Sequence, residues 1–248
     1  MTGPRRILIS GWGTGNDVWD GLNLQPASPT GDIRLPWYDC LGLAPSDNAL
    51  LRVLAEAAGE QYILVGWSLG GLISLSAALG HPDAVAGLVL ISATARMTAI
   101  DSYPGADPRM LRAMRAKLRR DAAPVVRAFA ELCVAPDRDD DFCDTFSRSA
   151  ATIEPATLDA GLAYLQETDL RGRLSEIATP TLVIHGELDE VVPLGCATYL
   201  CEHIAGATLD VIPHGNHALW PAQAPARQSR LDEPLARKIE RFAHDALI

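Results

Sequence analysis

Apolar positions along this chain follow two alternating rhythms. The short runs RILIS (6–10), DIRL (32–35), YILVGW (62–67), GLVLIS (87–92), TLVIH (181–185) and TLDVI (208–212) are β-rich and read as strands. Between them, ALLRVLAEAAGE (49–60) and GLISLSAALG (71–80) show the three-to-four spacing of helices, and PLARKIERFAHDAL (234–247) reads as a final amphipathic helix. Strands alternating with helices predict an α/β fold, about six strands in a mostly parallel sheet covered on both faces. The alternation breaks over residues 95–176, which read as consecutive helices punctuated by Pro104, Pro108, Pro124, Pro136 and Pro155. The expected organisation is therefore a core of residues 1–94 and 177–248, with 95–176 an all-helical cap inserted before the last strands. Sheets of this class bind ligands at the carboxyl ends of their strands, so the cap would roof a site there.

Composition narrows the function classes. At 248 residues, 48% hydrophobic and 21% charged, the chain suits one large globular domain or a domain with a sizeable insertion. A net charge of −10 argues against nucleic-acid binding, which needs a basic footprint. No apolar run approaches the roughly 18 residues of a membrane span, and the leading MTGPRRILIS is too short and too interrupted for a signal peptide. Five scattered cysteines without a CxxC pair predict reduced thiols rather than a disulfide framework or a metal site. The expectation is a cytoplasmic protein.

The chemistry concentrates in a few stretches. Gly66-Trp67-Ser68-Leu69-Gly70 fits G-x-S-x-G and stands directly between a predicted strand and a predicted helix. A strand-to-helix turn this sharp strains its central residue and leaves room only for glycine on either side. The turn would lift the Ser68 hydroxyl to the positive end of the following helix as a nucleophile; the alternative is a glycine-rich connection with an idle serine. A serine hydroxyl needs a base, itself oriented by a carboxylate, in the chain order Ser, Asp or Glu, His. TLVIHGELDEVVP offers Asp189 four residues past its strand, with Glu187 and Glu190 as solvated neighbours. VIPHGNHALWP offers His217 on a flexible Gly215-Asn216 loop, whereas His214 would pack or cap locally. His185, at its strand end, would be structural, and His81 would cap the helix after Ser68. Backbone N–H groups of Leu69 and of Trp12, in a rigid loop after the first strand, would form the oxyanion hole.

Taken in order, SGWGTGNDVW, VGWSLGGL, SYPGADPRML, GLAYLQETDLRGRL, GELDEVVP and GNHALWP resemble the α/β-hydrolase superfamily over nearly the whole chain. Within it, the likeness is to carboxylesterases of a carrier-bound acyl methyl ester. The resemblance implies Ser68 as nucleophile, Asp189 as orienting acid, His217 as base, and Trp12 and Leu69 as oxyanion donors. It also implies monomeric action without a cofactor, and an acyl-carrier protein as the partner presenting the ester. Free short-chain esters or a C–C bond remain alternative substrates, and a non-catalytic ligand receptor is a further alternative. The chain departs from the family in three places. Ser10-Gly11 stands where His-Gly is usual, which would alter a supporting hydrogen bond. The first strand begins about five residues in, so the two usual leading strands would be missing. LPWYDCLGLAPSD replaces a glycine-rich loop, so Trp37 and Tyr38 would reshape one side of the pocket.

One stretch stands apart from this acidic background. RMLRAMRAKLRR (109–120) gathers six of the 21 basic residues. Leu111, Met114 and Leu118 would pack as one stripe, while Arg112, Arg115 and Arg119 would form a second stripe facing water. The plain reading is a solvated helix face. The functional reading is that these three, with Arg109 or Arg120, dock the acidic carrier or its phosphopantetheine phosphate.

Overall fold

A computed structural model describes residues 4–26, 31–42, 44, 46–219 and 233–246. Six strands form one sheet: β1 (Arg5–Ile9), β2 (Ile33–Leu35), β3 (Tyr62–Trp67), β4 (Val85–Ile91), β5 (Thr181–Gly186) and β6 (Thr208–Ile212). They lie in the order β2-β1-β3-β4-β5-β6 and every neighbouring pair is parallel. Parallel crossovers place helices on both faces, so central strands are apolar on both sides. In β3 all six residues are buried.

Helices α1 (Ala49–Ala55), α2 (Leu69–Gly80), α7 (Leu194–His203) and α8 (Leu235–Asp245) belong to this core. α1 stops five residues short of its predicted end, because Ala58 and Gly59 both take positive φ, 49° and 91°. Four helices, α3 (Pro108–Leu118), α4 (Ala122–Val134), α5 (Asp140–Ala150) and α6 (Pro155–Glu167), form the insertion between β4 and β5. Asp107, Asp121 and Asp139 each cap one of these helices by accepting a main-chain N–H. The chain enters and leaves the insertion side by side: Leu170 N donates to Ala95 O, and Arg96 is ion-paired with Asp169 at 2.8 Å.

All five cysteines are free thiols. Among the described residues no helix is long and apolar enough to cross a membrane. Trp220, Pro221 and Leu247, the last residue of the predicted final helix, lie outside the described part.

Candidate active site

Ser68 sits between β3 and α2 with φ 54° and ψ −116°, backbone values that cost strain for any residue with a Cβ. Its glycine neighbours are what this bend requires. A Cβ on Gly66 would lie 2.3 Å from Gly70 O, and one on Gly70 only 2.1 Å from Ile9 O. Gly70→Ala should therefore destabilise the fold by about 3 kcal/mol, because β1 and α2 must separate to admit the methyl. Chemical denaturation measures this, and a wild-type midpoint would contradict the packing.

Asp189 and His217 come from the loops after β5 and β6. His217 Nδ1 lies 2.8 Å from Asp189 Oδ2, and both side chains are fully buried. The other carboxylate oxygen accepts the N–H groups of Val191 and Val192 at 2.9 and 2.8 Å. Burial pushes the Asp189 carboxyl up, but the charge and hydrogen bond of His217, with His185 and the Val192 N–H, outweigh it and hold the group below its ordinary value. His217 Nε2 is buried and makes no hydrogen bond among the described residues, so the bond to the Ser68 hydroxyl is not closed here. In unliganded hydrolases that bond tightens when substrate arrives.

The loop carrying His217 is anchored, where the sequence suggested flexibility. The His217 carbonyl accepts from Trp67 Nε1 and Ser92 Oγ. Asn216 Nδ2 donates to Val134 O at 2.8 Å and Ala218 N to Cys133 O, which ties the base to the C-terminal end of α4. The acid and base loops are also joined directly, through Leu188 N to Gly215 O at 2.7 Å. Neither Asn216 nor Ser92 was legible as part of the site, because their partners are distant in the chain.

The loop after β1 is equally constrained. Trp12 is buried and its indole N–H donates to Leu158 O at 2.8 Å. Ser10 Oγ donates to Thr14 O and accepts from Trp37 N, so the residue standing in the usual histidine position does supply a supporting bond. Neither the Trp12 nor the Leu69 main-chain N–H has an acceptor among the described residues.

Ser68 opens into a cavity of about 340 Å³ walled by α3, α4 and α6, with Trp12 and Val191 beside the serine. Its lining is almost wholly apolar and includes Met97, Met110 and Met114, that is, every methionine except Met1. The polar exceptions are Ser68, Lys117 and Glu190, the last expected only to face solvent. A second cavity shares Lys117, Val125 and Ala128 in its wall and is bordered by Arg120, Asp121 and Pro124. Trp37 and Tyr38 are not in the wall of the main cavity: Trp37 is fully buried, with Gly161 closing against both its ring and that of Trp12. The remaining histidines divide. His81 is the C-cap of α2, His185 is buried beside Asp189, and His214 lies at the surface with its main-chain N–H on Glu187.

The basic helix α3 departs from its expected pattern. Arg115 is only 17% exposed and forks onto Asp159 of α6, with a further bond to Gln166. Arg119 pairs with the same Asp159 at 2.9 Å. A carboxylate 40 residues away thus neutralises part of the anticipated stripe, while Met114 packs against the core that holds Leu111 and Leu118 and also lines the cavity. Arg109, Arg112, Lys117 and Arg120 are exposed and form no ion pair among the described residues.

The chain belongs to the α/β-hydrolase family. A family model described as serine aminopeptidase, S33, matches residues 46–222. The pimeloyl-[acyl-carrier protein] methyl ester esterase of Nitrosomonas europaea is 31% identical over 227 residues, covering 87% of this chain and 89% of that relative. The enzyme of the same name from Edwardsiella ictaluri is 32% identical over 250 residues, covering 96% and 92%. Among solved structures, a hydrolase from Oleispira antarctica superposes with a TM-score of 0.81 at 15% identity, covering 98% of this chain and 92% of that one. A bromoperoxidase from Bacillus anthracis gives 0.81 at 22%, with coverage of 98% and 93%. At these identities the structural likeness speaks for the fold.

Proposed function

We propose that this protein is a cytoplasmic serine carboxylesterase that hydrolyses the methyl ester of pimeloyl-[acyl-carrier protein], a step toward biotin. The observation that carries the esterase reading is the serine on a strained elbow, opening into an apolar cavity, with a buried histidine–aspartate pair behind it. Two further features support the carrier-bound substrate. The relatives of that name align over most of the chain, and a second cavity adjoins the first at Lys117, Val125 and Ala128. An acyl chain whose far end is tethered needs room beyond the first cavity; a short free ester does not.

In the proposed mechanism Ser68 Oγ attacks the ester carbonyl while His217 Nε2 takes its proton. The tetrahedral oxyanion accepts the N–H groups of Trp12 and Leu69, each worth about 3 kcal/mol of transition-state stabilisation. The carbon–oxygen bond to the alcohol then breaks, and His217 returns its proton to form methanol. Water attacks the acyl-enzyme with His217 again as base. This frees the carboxylic acid and restores the Ser68 hydroxyl. Asp189 stays ionised throughout, holding Nδ1–H and stabilising the imidazolium.

The carrier would dock on the charges that α3 leaves unpaired, Arg109, Arg112 and Arg120 with Lys117 in the wall of both cavities, rather than on Arg115 and Arg119. Methyl pimeloyl-carrier protein should be a better substrate than a free butyrate ester by kcat/KM, and equal or inverted values would favour a general esterase. In the double variant R112E/R120E, KM for the carrier-bound ester should rise about tenfold or more, far beyond any change on butyrate. Equal effects on both substrates would remove the docking surface.

A further inference from the structure

Asp189 has two imidazole neighbours, and the proposed mechanism uses only one. His217 Nδ1 approaches Oδ2 to 2.8 Å, while His185 Nε2 lies 3.4 Å from that same oxygen and 2.9 Å from Val192 O. A carbonyl only accepts, so Nε2 of His185 carries the proton and Nδ1 the lone pair. That lone pair is buried and makes no hydrogen bond, which disfavours an imidazole at this position relative to an apolar side chain. The Nε2–H nevertheless closes a ring: it bonds Val192 O, and the Val192 N–H bonds Asp189 Oδ1 at 2.8 Å.

We propose that His185 is a positioning residue for the acid: its N–H locks the Val191–Val192 turn that holds Asp189 and sets a neutral ring dipole 3.4 Å from Oδ2. This rests on the Ser68–His217–Asp189 reading. The effect on His217 is electrostatic as well as geometric. An N–H dipole this close to Oδ2 moderates the negative potential that the carboxylate exerts on the neighbouring ring. Burial lowers the pKa of His185, against the pull of Asp189, so the ring acts as a neutral dipole. The other titratable groups facing Asp189 are Cys133 and Cys196, whose thiols burial pushes up and keeps neutral.

The test compares wild type, H185L and H185Q on p-nitrophenyl butyrate across a pH series. Leucine removes the N–H, so kcat should fall on the order of tenfold with KM within about twofold. The acid limb of kcat/KM should move to higher pH, because the carboxylate charge then acts more fully on protonated His217. Glutamine places an amide N–H at about the same reach and should restore the limb and most of kcat. A folded H185L with the wild-type limb overturns the proposal, whatever happens to its melting temperature. If H185L does not fold, ¹⁵N spectra of the wild-type imidazoles decide. His185 protonated at Nε2, with a shift that follows the ionisation of His217, supports the proposal; protonation at Nδ1, or indifference to His217, overturns it. Fluorophosphonate labelling of wild-type Ser68 separates the two failures. No labelling brings down the triad reading and this inference together, whereas labelling with unchanged H185L kinetics removes the inference alone.

Discussion

Ser68→Ala should abolish ester hydrolysis while leaving the protein folded. The hydroxyl makes no hydrogen bond to His217 in the resting site, so its loss removes no buried partner. Alanine keeps the same Cβ at φ 54°, so the strain of the elbow is unchanged and stability stays near wild type. The catalytic loss should be on the order of 10⁶ in kcat, since the nucleophile, base and acid act as a unit. Steady-state hydrolysis and a thermal melt check both halves. Activity within about a hundredfold of wild type, in a protein free of wild-type contamination, would assign the chemistry to another group.

Asp189→Asn should cost about 10⁴ in kcat with little change in KM. The asparagine oxygen can still accept the Val191 and Val192 N–H groups, so the turn survives. Its amide nitrogen then faces His217 Nδ1 and His185 Nε2 where the carboxylate oxygen stood. An amide N–H donating to Nδ1 forces the proton of His217 onto Nε2, the nitrogen that must accept from serine. The imidazolium also loses its counter-charge. A variant that keeps a tenth or more of wild-type kcat would show that Asp189 is not the orienting acid.

The elements most legible in the sequence were those defined by neighbours in the chain. β3 and β6 both run over the residues predicted for them; in β3 the reason is plain, because a parallel strand covered on both faces reads as an unbroken apolar stretch. The elbow was legible for a similar reason: glycine, serine and glycine at fixed spacing between strand and helix record a local steric problem. Asp189 and His217 stand in the expected loops, and their 2.8 Å approach brings together residues 28 positions apart. What the sequence concealed depends on distant partners. Asp159 draws Arg115 inward and pairs with Arg119, Val134 and Cys133 anchor the loop of His217, and Trp37 packs behind Trp12 instead of lining the cavity. The methionine-rich wall was equally hidden, since Met97 precedes the insertion's helices and meets Met110 and Met114 only once α3 folds over the sheet. Unbranched, polarisable side chains suit a wall that adapts to the shape of its ligand.

The central claim is that Ser68 is an activated nucleophile inside this cavity. Reaction with a fluorophosphonate, followed by digestion and tandem mass spectrometry, reads that directly. The account predicts one adduct on the peptide carrying Ser68, formed in wild type and lost in both Ser68→Ala and the denatured protein. An unmodified Ser68 under conditions where the protein hydrolyses esters, or an adduct on another residue, would contradict it.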